Sequence, residues 1–449
     1  MFERLSRVFL CVFVTLLALE TLQVPVGPLD VRLHQGALIG LLAWFIGRGV
    51  YLLKTSQASL RPAMSQSLRE YALLLLIFVV FAGIGGILHT SLAPTLTQTL
   101  VFLSMALTFF VIIYSIRSHQ RMRIVLASLM VGTVLNIGFA LYQALAFKFG
   151  LLDFMVFEGR VNGLLPEPNW FAIWHSGIVA LLLPMTFFIP HWFARKWQSL
   201  WWLLLFLNLV VIILSLTRAS WLALFVTGIV FYGILLWPAK YAPSTVLKHA
   251  GKISMLLIGA VVLIELFSLT KFSLYERAES IISHTTTHYE TRDGESMSKE
   301  EAKERDDIVT KKVKDVNVAS RMEDYRTSLS IASEYPLFGV GFAGYKERVG
   351  ETRNTSNLFL GALVAGGFPG LIAFTLLIYR QIRDSIQYIR QKHLMVGTMM
   401  LNVTLVISIS GMFNNGMLLA FIWMFLGLTA AFSFLPRQKK EKPENYSSK

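Results

Sequence analysis

The sequence predicts an all-α polytopic membrane protein, with about twelve transmembrane helices and one large extracytoplasmic loop between helices nine and ten. Three observations lead there. Hydrophobic residues make up 55% of the 449 and the mean hydropathy is +0.58, too apolar for an ordinary soluble domain. Apolar runs near the roughly 20 residues needed to cross a bilayer recur along almost the whole chain. One hydrophilic island, residues 270–354, interrupts them.

In chain order the runs fall near 8–25, 33–53, 70–88, 96–116, 122–147, 169–189, 199–216, 219–237, 251–269, 355–379, 394–413 and 417–435. The chain then divides into helices one to nine (1–269), an extracytoplasmic loop (270–354) with a polar insertion at 290–317, helices ten to twelve (355–435) and a basic cytoplasmic tail (436–449). Lys and Arg near membrane ends stay cytoplasmic. Alternate connections carry Arg4 and Arg7; Lys54, Arg61 and Arg69; Arg117, Arg121 and Arg123; Arg195 and Lys196; Lys240, Lys248 and Lys252; Arg380, Arg383, Arg390 and Lys392; and the Arg437–Lys442 tail. The other short connections hold only Arg32, Lys148, Arg160 and Arg218. Both termini are therefore expected inside and the island outside. The first run lacks a small-residue cleavage site before Pro25 and Pro28 and reads as a retained anchor.

The net charge of +14 does not call for nucleic acid. The island holds 14 Lys and Arg against 16 Asp and Glu, leaving 27 of the 41 basic residues against 11 of the 27 acidic ones elsewhere. The positive charge belongs to loops beside anionic headgroups. Cys11 is the one cysteine, so no intrachain disulfide can order the outer loop.

The polar half of the island, 290–317, has almost no large apolar residues; Ser298 and Glu301 have capping-box spacing, which suggests a short solvated helix in a variable surface insertion. The second half regains apolar residues. Arg321, Tyr325, Leu329, Ala332 and Ser333 recur at helical spacing until Pro336 and the GVGFAG run, as a helix lying on the bundle mouth would.

Candidate functional residues follow from where charge meets apolar sequence. Arg218, in LSLTRASWLALF, joins two apolar runs with almost nothing between them, so its guanidinium either snorkels to the surface or points into a polar cavity. Arg160 lies in GRVNGLLPEPNWFAIW, where Gly163, Pro166 and Pro168 force turns and Asn169 is placed to cap the next helix. Glu158 and Glu167 flank it as acids or bases, or as solvated loop carboxylates. Arg321 and Arg326 are five residues apart and do not share a helix face, with Glu323 and Asp324 between them as ion-pair partners. His284 and His288 have i, i+4 spacing but no third ligand, so surface histidines are expected rather than a metal site. Glu20, His89, His175 and Glu265 are ionisable groups in or near apolar runs, and so either functional or interfacial. No phosphate-binding loop, dinucleotide fingerprint or nucleophile elbow occurs.

Four segments in order, Arg160-VNGLLPEPN, LSLTRASWLAL around Arg218, SRMEDY at Arg321 ahead of EYPLFGVGFAGY, and TSNLFLGALVAGGFPG around Asn357, resemble the bacterial O-antigen ligase and surface polysaccharide polymerase superfamily. The resemblance covers most of the chain beyond about residue 150. It implies a twelve-helix glycosyltransferase of the cytoplasmic (inner) membrane, active on the outer face. Such an enzyme moves a glycan from an undecaprenyl-diphosphate carrier without cofactor, metal or nucleotide sugar. Arg160, Arg218 and Arg321 match the family's arginine positions, with Ser356 and Asn357 as further catalytic positions. Glu158, Glu167, Asn169 and Arg326 are expected to bind substrate around them. Ligases of this family carry a His directly before the Asn of the last motif; here that position is Ser356. A neutral serine is a poor general base, so Glu158, Glu167, Glu323 or Asp324 takes that role, or the chemistry differs.

That substitution favours a polymerase joining lipid-linked repeat units over a ligase acting on a lipid or protein acceptor. The expected partners are the lipid-linked glycan and membrane lipids, with flippase and chain-length regulator proteins beside them, and no nucleic acid. A flippase or transporter should show internal repeats and polar residues through the whole membrane, whereas these arginines cluster at the outer side. An inactive scaffold is the remaining reading.

Overall fold

The computed structural model describes residues 2–26, 29–54, 66–116, 118–157, 159–188, 197–237, 239, 241–270, 285–291, 296–297, 308–314, 316–350 and 355–434. Among the described residues fourteen helices form the protein. They are α1 (Phe2–Leu16), α2 (Leu33–Lys54), α3 (Gln66–His89), α4 (Leu92–Ser115), α5 (His119–Lys148), α6 (Pro168–Phe188), α7 (Gln198–Leu214), α8 (Arg218–Leu236), α9 (Pro243–Leu266), α10 (Val316–Glu334), α11 (Gly341–Val349), α12 (Leu358–Arg390), α13 (Leu394–Gly411) and α14 (Ala420–Phe432).

Eight of these are long and apolar enough to cross a membrane: α3 to α6, α8, α9, α12 and α13. Four shorter apolar helices, Leu5–Leu16, Leu33–Gly47, Gln198–Leu214 and Ala420–Phe432, occupy the other predicted runs. The first run ends early, at Leu16, because Glu20 and the polar residues after it leave the helix for a small hairpin, β1 (Gln23–Val26) with β2 (Leu29–Arg32). The tenth run continues beyond residue 379: Arg380, Arg383 and Arg390, expected in a connection, are the last turns of α12.

The all-α expectation also misses a three-stranded antiparallel sheet in the island, β3 (Thr285–Thr291) between β4 (Ser296–Met297) and β5 (Ile308–Lys314). His288 pairs with Lys311 there. His284, Ser298, Glu301 and the 436–449 tail lie outside the described residues.

The core is built on α6 and α14. The apolar window of α6 is 89% buried against 17% for α9, which places α6 at the centre and α9 at the rim. Trp174 of α6 stacks edge-on with Phe421 of α14 at 5.7 Å and tilts against Phe425 at 5.6 Å. Buried amides and hydroxyls join the helices where no water could satisfy them. The Gln381 amide nitrogen donates to Leu426 O at 2.9 Å, and its oxygen accepts from Thr429 (2.9 Å) and Thr404 (3.2 Å). The rim helices leave Leu73, Leu76 and Val80 of α3, and Met255, Ile258 and Val262 of α9, exposed, as lipid-facing surfaces are.

One helix is broken inside the bundle. Gly367 (φ 62°, ψ −163°) and Pro369 interrupt α12, and the backbone groups so freed are taken up by the segment after α10. Phe368 N donates to Pro336 O at 2.8 Å, and Val340 N donates to Val364 O at 2.8 Å. Irregular backbone at this depth persists where protein buries and satisfies it. Gly339 has φ +64°, and a Cβ there would sit 2.4 Å from Val364 O, so the GVGF and AGGFPG stretches interlock only as glycines.

The island's helices dock on the same end of the bundle. The Glu347 carboxylate of α11 accepts hydrogen bonds from Ser91 N (3.1 Å) and the Ser91 hydroxyl, covering the N-terminus of α4. Those bonds hold the Glu347 carboxyl below the usual carboxylate range. The Tyr325 hydroxyl of α10 donates to Met412 O at 2.6 Å.

Candidate active site

Three elements distant in sequence meet at that end. The loop after α5 carries Arg160, the α7–α8 turn carries Arg218, and α10 carries Arg321. All three arginines line one narrow cleft with Asn169, Leu216, Thr217 and Ala219. Its internal volume of about 30 Å³ admits one or two waters. A larger anion would bind at its mouth or part its walls.

The Arg160 loop is held by two buried amides of α5. Asn136 and Gln143, seven residues apart, fall on one helix face. Gln143 Oε1 accepts from Asn162 N (3.1 Å) and Gly163 N (2.8 Å), and its Nε2 donates to Phe154 O and Asn162 Oδ1, both at 3.2 Å. Asn136 Oδ1 accepts from Leu164 N at 2.8 Å while its Nδ2 donates to Ala18 O at 3.2 Å. Thr21 closes the clamp, donating through its backbone N–H and its hydroxyl to Leu164 O, both at 3.1 Å. Gly163 fits because a Cβ at its φ of +56° would lie 2.1 Å from Asn136 Oδ1.

So fixed, Arg160 points across to the α7–α8 turn. Its Nε donates to Ser215 O at 3.0 Å, and its Nη2 to Asn169 Oδ1 (3.2 Å) and Thr217 Oγ1 (3.4 Å). The turn is tight enough to put Leu216 at φ +53° with its side chain buried. Arg218 is thereby the first residue of α8, whose opening turn lines the cleft. A helix N-terminus carries partial positive charge, and it adds to that of the arginines. Asn169 does not cap α6 as expected: Pro168 takes the first helical position, which suits its fixed φ, and leaves the Asn169 side chain to Arg160 and Thr217.

Glu167, read as a candidate acid or base or as a solvated carboxylate, is half-buried at the start of α6. Burial pushes its carboxyl above the usual carboxylate range, and the Arg160 guanidinium pulls it back. Glu158 lies outside the described residues. Arg321 and Arg326 divide as their spacing requires: Arg321 lines the cleft and Arg326 is exposed. Arg326 is therefore not among the residues brought together, and Glu323 is exposed beside it. The face of α10 expected from periodicity is partly wrong. Leu329 and Ser333 are exposed, whereas Asp324, Ser328, Ile331 and Ala332 are buried.

Ser356 and Asn357 open α12. Asn357 is its N-cap, accepting from Phe359 N (2.8 Å) and Leu360 N (3.1 Å) while its Nδ2 donates to Met412 O (2.9 Å). The Ser356 hydroxyl donates to Asp324 Oδ2, and the Tyr345 hydroxyl of α11 donates to Asp324 Oδ1 at 3.1 Å.

The other ionisable candidates lie apart from the cleft lining. Glu20 is buried beside Arg32 (3.2 Å), and burial pushes its carboxyl up to about 7 against the pull of Arg32 and the Ala420 backbone N–H. The His89 ring tilts against Tyr335 at 4.4 Å, His175 is hydrogen-bonded to Asn208 at 2.7 Å inside the bundle, and Glu265 is exposed near the end of α9. Sequence reasoning missed Asn136, Gln143, Thr217 and Tyr345. The first two carried a usable signal, two amides seven residues apart in an apolar run.

A search of curated proteins found no match. A family model described as O-antigen ligase matches residues 203–375, from α7 into α12. The matched segment contains Arg218, Arg321, Ser356 and Asn357, while Arg160, Glu167 and Asn169 precede it. Residues 203–375 are therefore similar to the O-antigen ligase domain, in a chain that has, among its described residues, eight helices long and apolar enough to span a bilayer.

Proposed function

We propose that the chain is a membrane glycosyltransferase. It polymerises undecaprenyl-diphosphate-linked oligosaccharide repeat units of a cell-surface polysaccharide on the outer face of the bacterial cytoplasmic membrane. The observation that carries this reading is the convergence of Arg160, Arg218 and Arg321 on one cleft at the start of α8. In the transfer, an acceptor hydroxyl oxygen bonds to the anomeric carbon as the bond from that carbon to the phosphate oxygen breaks. The electron pair leaves on the lipid diphosphate. Guanidinium groups match phosphate oxygens in bidentate fashion, and donors fixed beforehand around developing charge lower the barrier without reorganising. The buried clamp on the Arg160 loop supports such preorganisation. The energy for transfer resides in the diphosphate linkage of the donor.

Ser356, where ligases of the family have His, favours a polymerase, whose acceptor is the next lipid-linked unit. The family description favours a ligase, whose acceptor is a lipid or protein. One assay separates them. The purified protein in nanodiscs is given native lipid-linked repeat units without nucleotide, and products are sized by gel and mass spectrometry. A ladder of longer glycans is the expected result. Transfer only when a separate acceptor is supplied makes the protein a ligase; inactivity in both, with substrate of verified competence, returns the flippase and scaffold readings.

A further inference from the structure

The absent histidine leaves the attacking hydroxyl without an evident base, and the geometry around Ser356 points to its replacement. We infer that Asp324 is the proton sink of the reaction, reached through Ser356, which touches the acceptor hydroxyl; this rests on the glycosyl-transfer reading above.

Asp324 follows Arg321 by one turn of α10, a rise of about 4.5 Å on the same side of the helix. The helix thus runs from the arginine cleft to a second polar group. Asp324 is 6% exposed and its two carboxylate oxygens have separate partners, the Tyr345 hydroxyl on Oδ1 at 3.1 Å and the Ser356 hydroxyl on Oδ2. The Ser328 hydroxyl donates to the Asp324 backbone oxygen at 2.7 Å, fixing that turn. Ser356 is half-buried at the entrance to α12, in the position directly before the helix cap.

A hydroxyl that gives its proton to a carboxylate keeps its lone pairs for an incoming donor. Serine alone is a poor base, but serine backed by a carboxylate passes a proton on. The acceptor O–H proton moves to Ser356 Oγ as the Ser356 proton moves to Asp324 Oδ2. The acceptor oxygen bonds to the anomeric carbon, and the carbon–phosphate oxygen bond breaks with its electrons leaving on the lipid diphosphate. Asp324 then returns its proton to water. Tyr345 is a positioning residue that orients the carboxylate. Of the other carboxylates considered, Glu323 is exposed on the neighbouring face and Glu167 sits on the Arg160 side of the cleft.

The test measures turnover and donor binding separately, on the full chain in nanodiscs with native lipid-linked units. Asp324→Asn should lower kcat about 100-fold or more, the range lost with a general base, while donor binding changes less than about threefold. Ser356→Ala should lower kcat at least about tenfold. In the Asp324→Asn background, Ser356→His should restore at least about tenfold, because an imidazole is a base in its own right. A purely structural Asp324 predicts no such rescue. Wild-type turnover in Asp324→Asn overturns the inference; so does wild-type turnover in Ser356→Ala, which decides the matter should Asp324→Asn fail to assemble. A wild-type protein inert toward donor and every acceptor overturns the glycosyl-transfer reading instead.

Discussion

The two ends of the helix bundle both collect arginines, and they treat them differently. At one end Arg380 of α12 is matched with acid: Glu70 on α3 binds it directly, Asp384 lies 3.7 Å from its Nε, and the Tyr71 ring lies 5.4 Å below it. At the other end Arg160 donates to neutral oxygens of Ser215, Asn169 and Thr217, beside Arg218 and Arg321. An arginine against carboxylates has its charge answered within the fold. At the cleft, three guanidinium groups and a helix N-terminus line one opening, where an anionic ligand could meet them together. The contrast teaches that a basic count does not identify a site: one arginine set between two carboxylates ties helices together, whereas three arginines from distant segments gathered at one cleft form a place for an anion.

That contrast is open to breakage. The largest effect should come from Arg218→Ala, which should cut glycan transfer by about 10²–10³ while the purified protein elutes and melts as wild type. Full activity would remove the main mechanistic claim. Arg380→Ala should do the reverse. It takes one of two arginines from Asp384, about nine-tenths buried, leaving Arg383 at 3.5 Å and the Tyr71 hydroxyl at 3.4 Å, and with Glu70 39% exposed the loss should be about 1–3 kcal/mol of stability. Its readout is an earlier thermal transition with kcat per folded molecule unchanged; a changed kcat with unchanged melting would show that the two ends are coupled.

A pH series sharpens the same contrast at the cleft end. Glu20 is protonated more readily in the fold than in the unfolded chain, so its contribution is complete below pH 4.5 and is lost as pH rises from 4.5 to about 7. The melting temperature should decline across that window, by the equivalent of no more than about 3 kcal/mol, and Glu20→Gln should flatten the decline. An unaltered slope would show that another group titrates. The smallest effect expected is that of Gln143→Ala, which leaves Asn162 N and Gly163 N without their acceptor at a cost of about 2 kcal/mol. Donor affinity should weaken as the Arg160 loop loosens, and donor titration by fluorescence or scintillation proximity would measure it.

Much of the helical layout was legible in the sequence because long apolar runs admit few other folds. The first run misled because the chain leaves the helix before Glu20 and turns into the β1–β2 hairpin, and the tenth because Arg380, Arg383 and Arg390 resemble a basic connection but extend a helix on whose buried side Arg380 lies with Asp384, while Arg383 and Arg390 are exposed. The three arginines were nameable one at a time. Their meeting was not, since residues 160, 218 and 321 are joined by folding and not by spacing. The same holds for Asp324 and Ser356: periodicity placed the former on a helix but could not show whose hydroxyl it would accept.

The break in α12 bears on how such proteins can be recombined. Because Pro336 and Val340 complete the hydrogen bonding that Gly367 and Pro369 interrupt, the island and the tenth apolar run form one mechanical piece. A graft that transplants residues 320–350 from a relative should therefore bring residues 355–370 along with it. Moving either strip alone strands buried amides of the other, so substrate preference, if the island carries it, is exchangeable only as a cassette that includes part of the membrane helix.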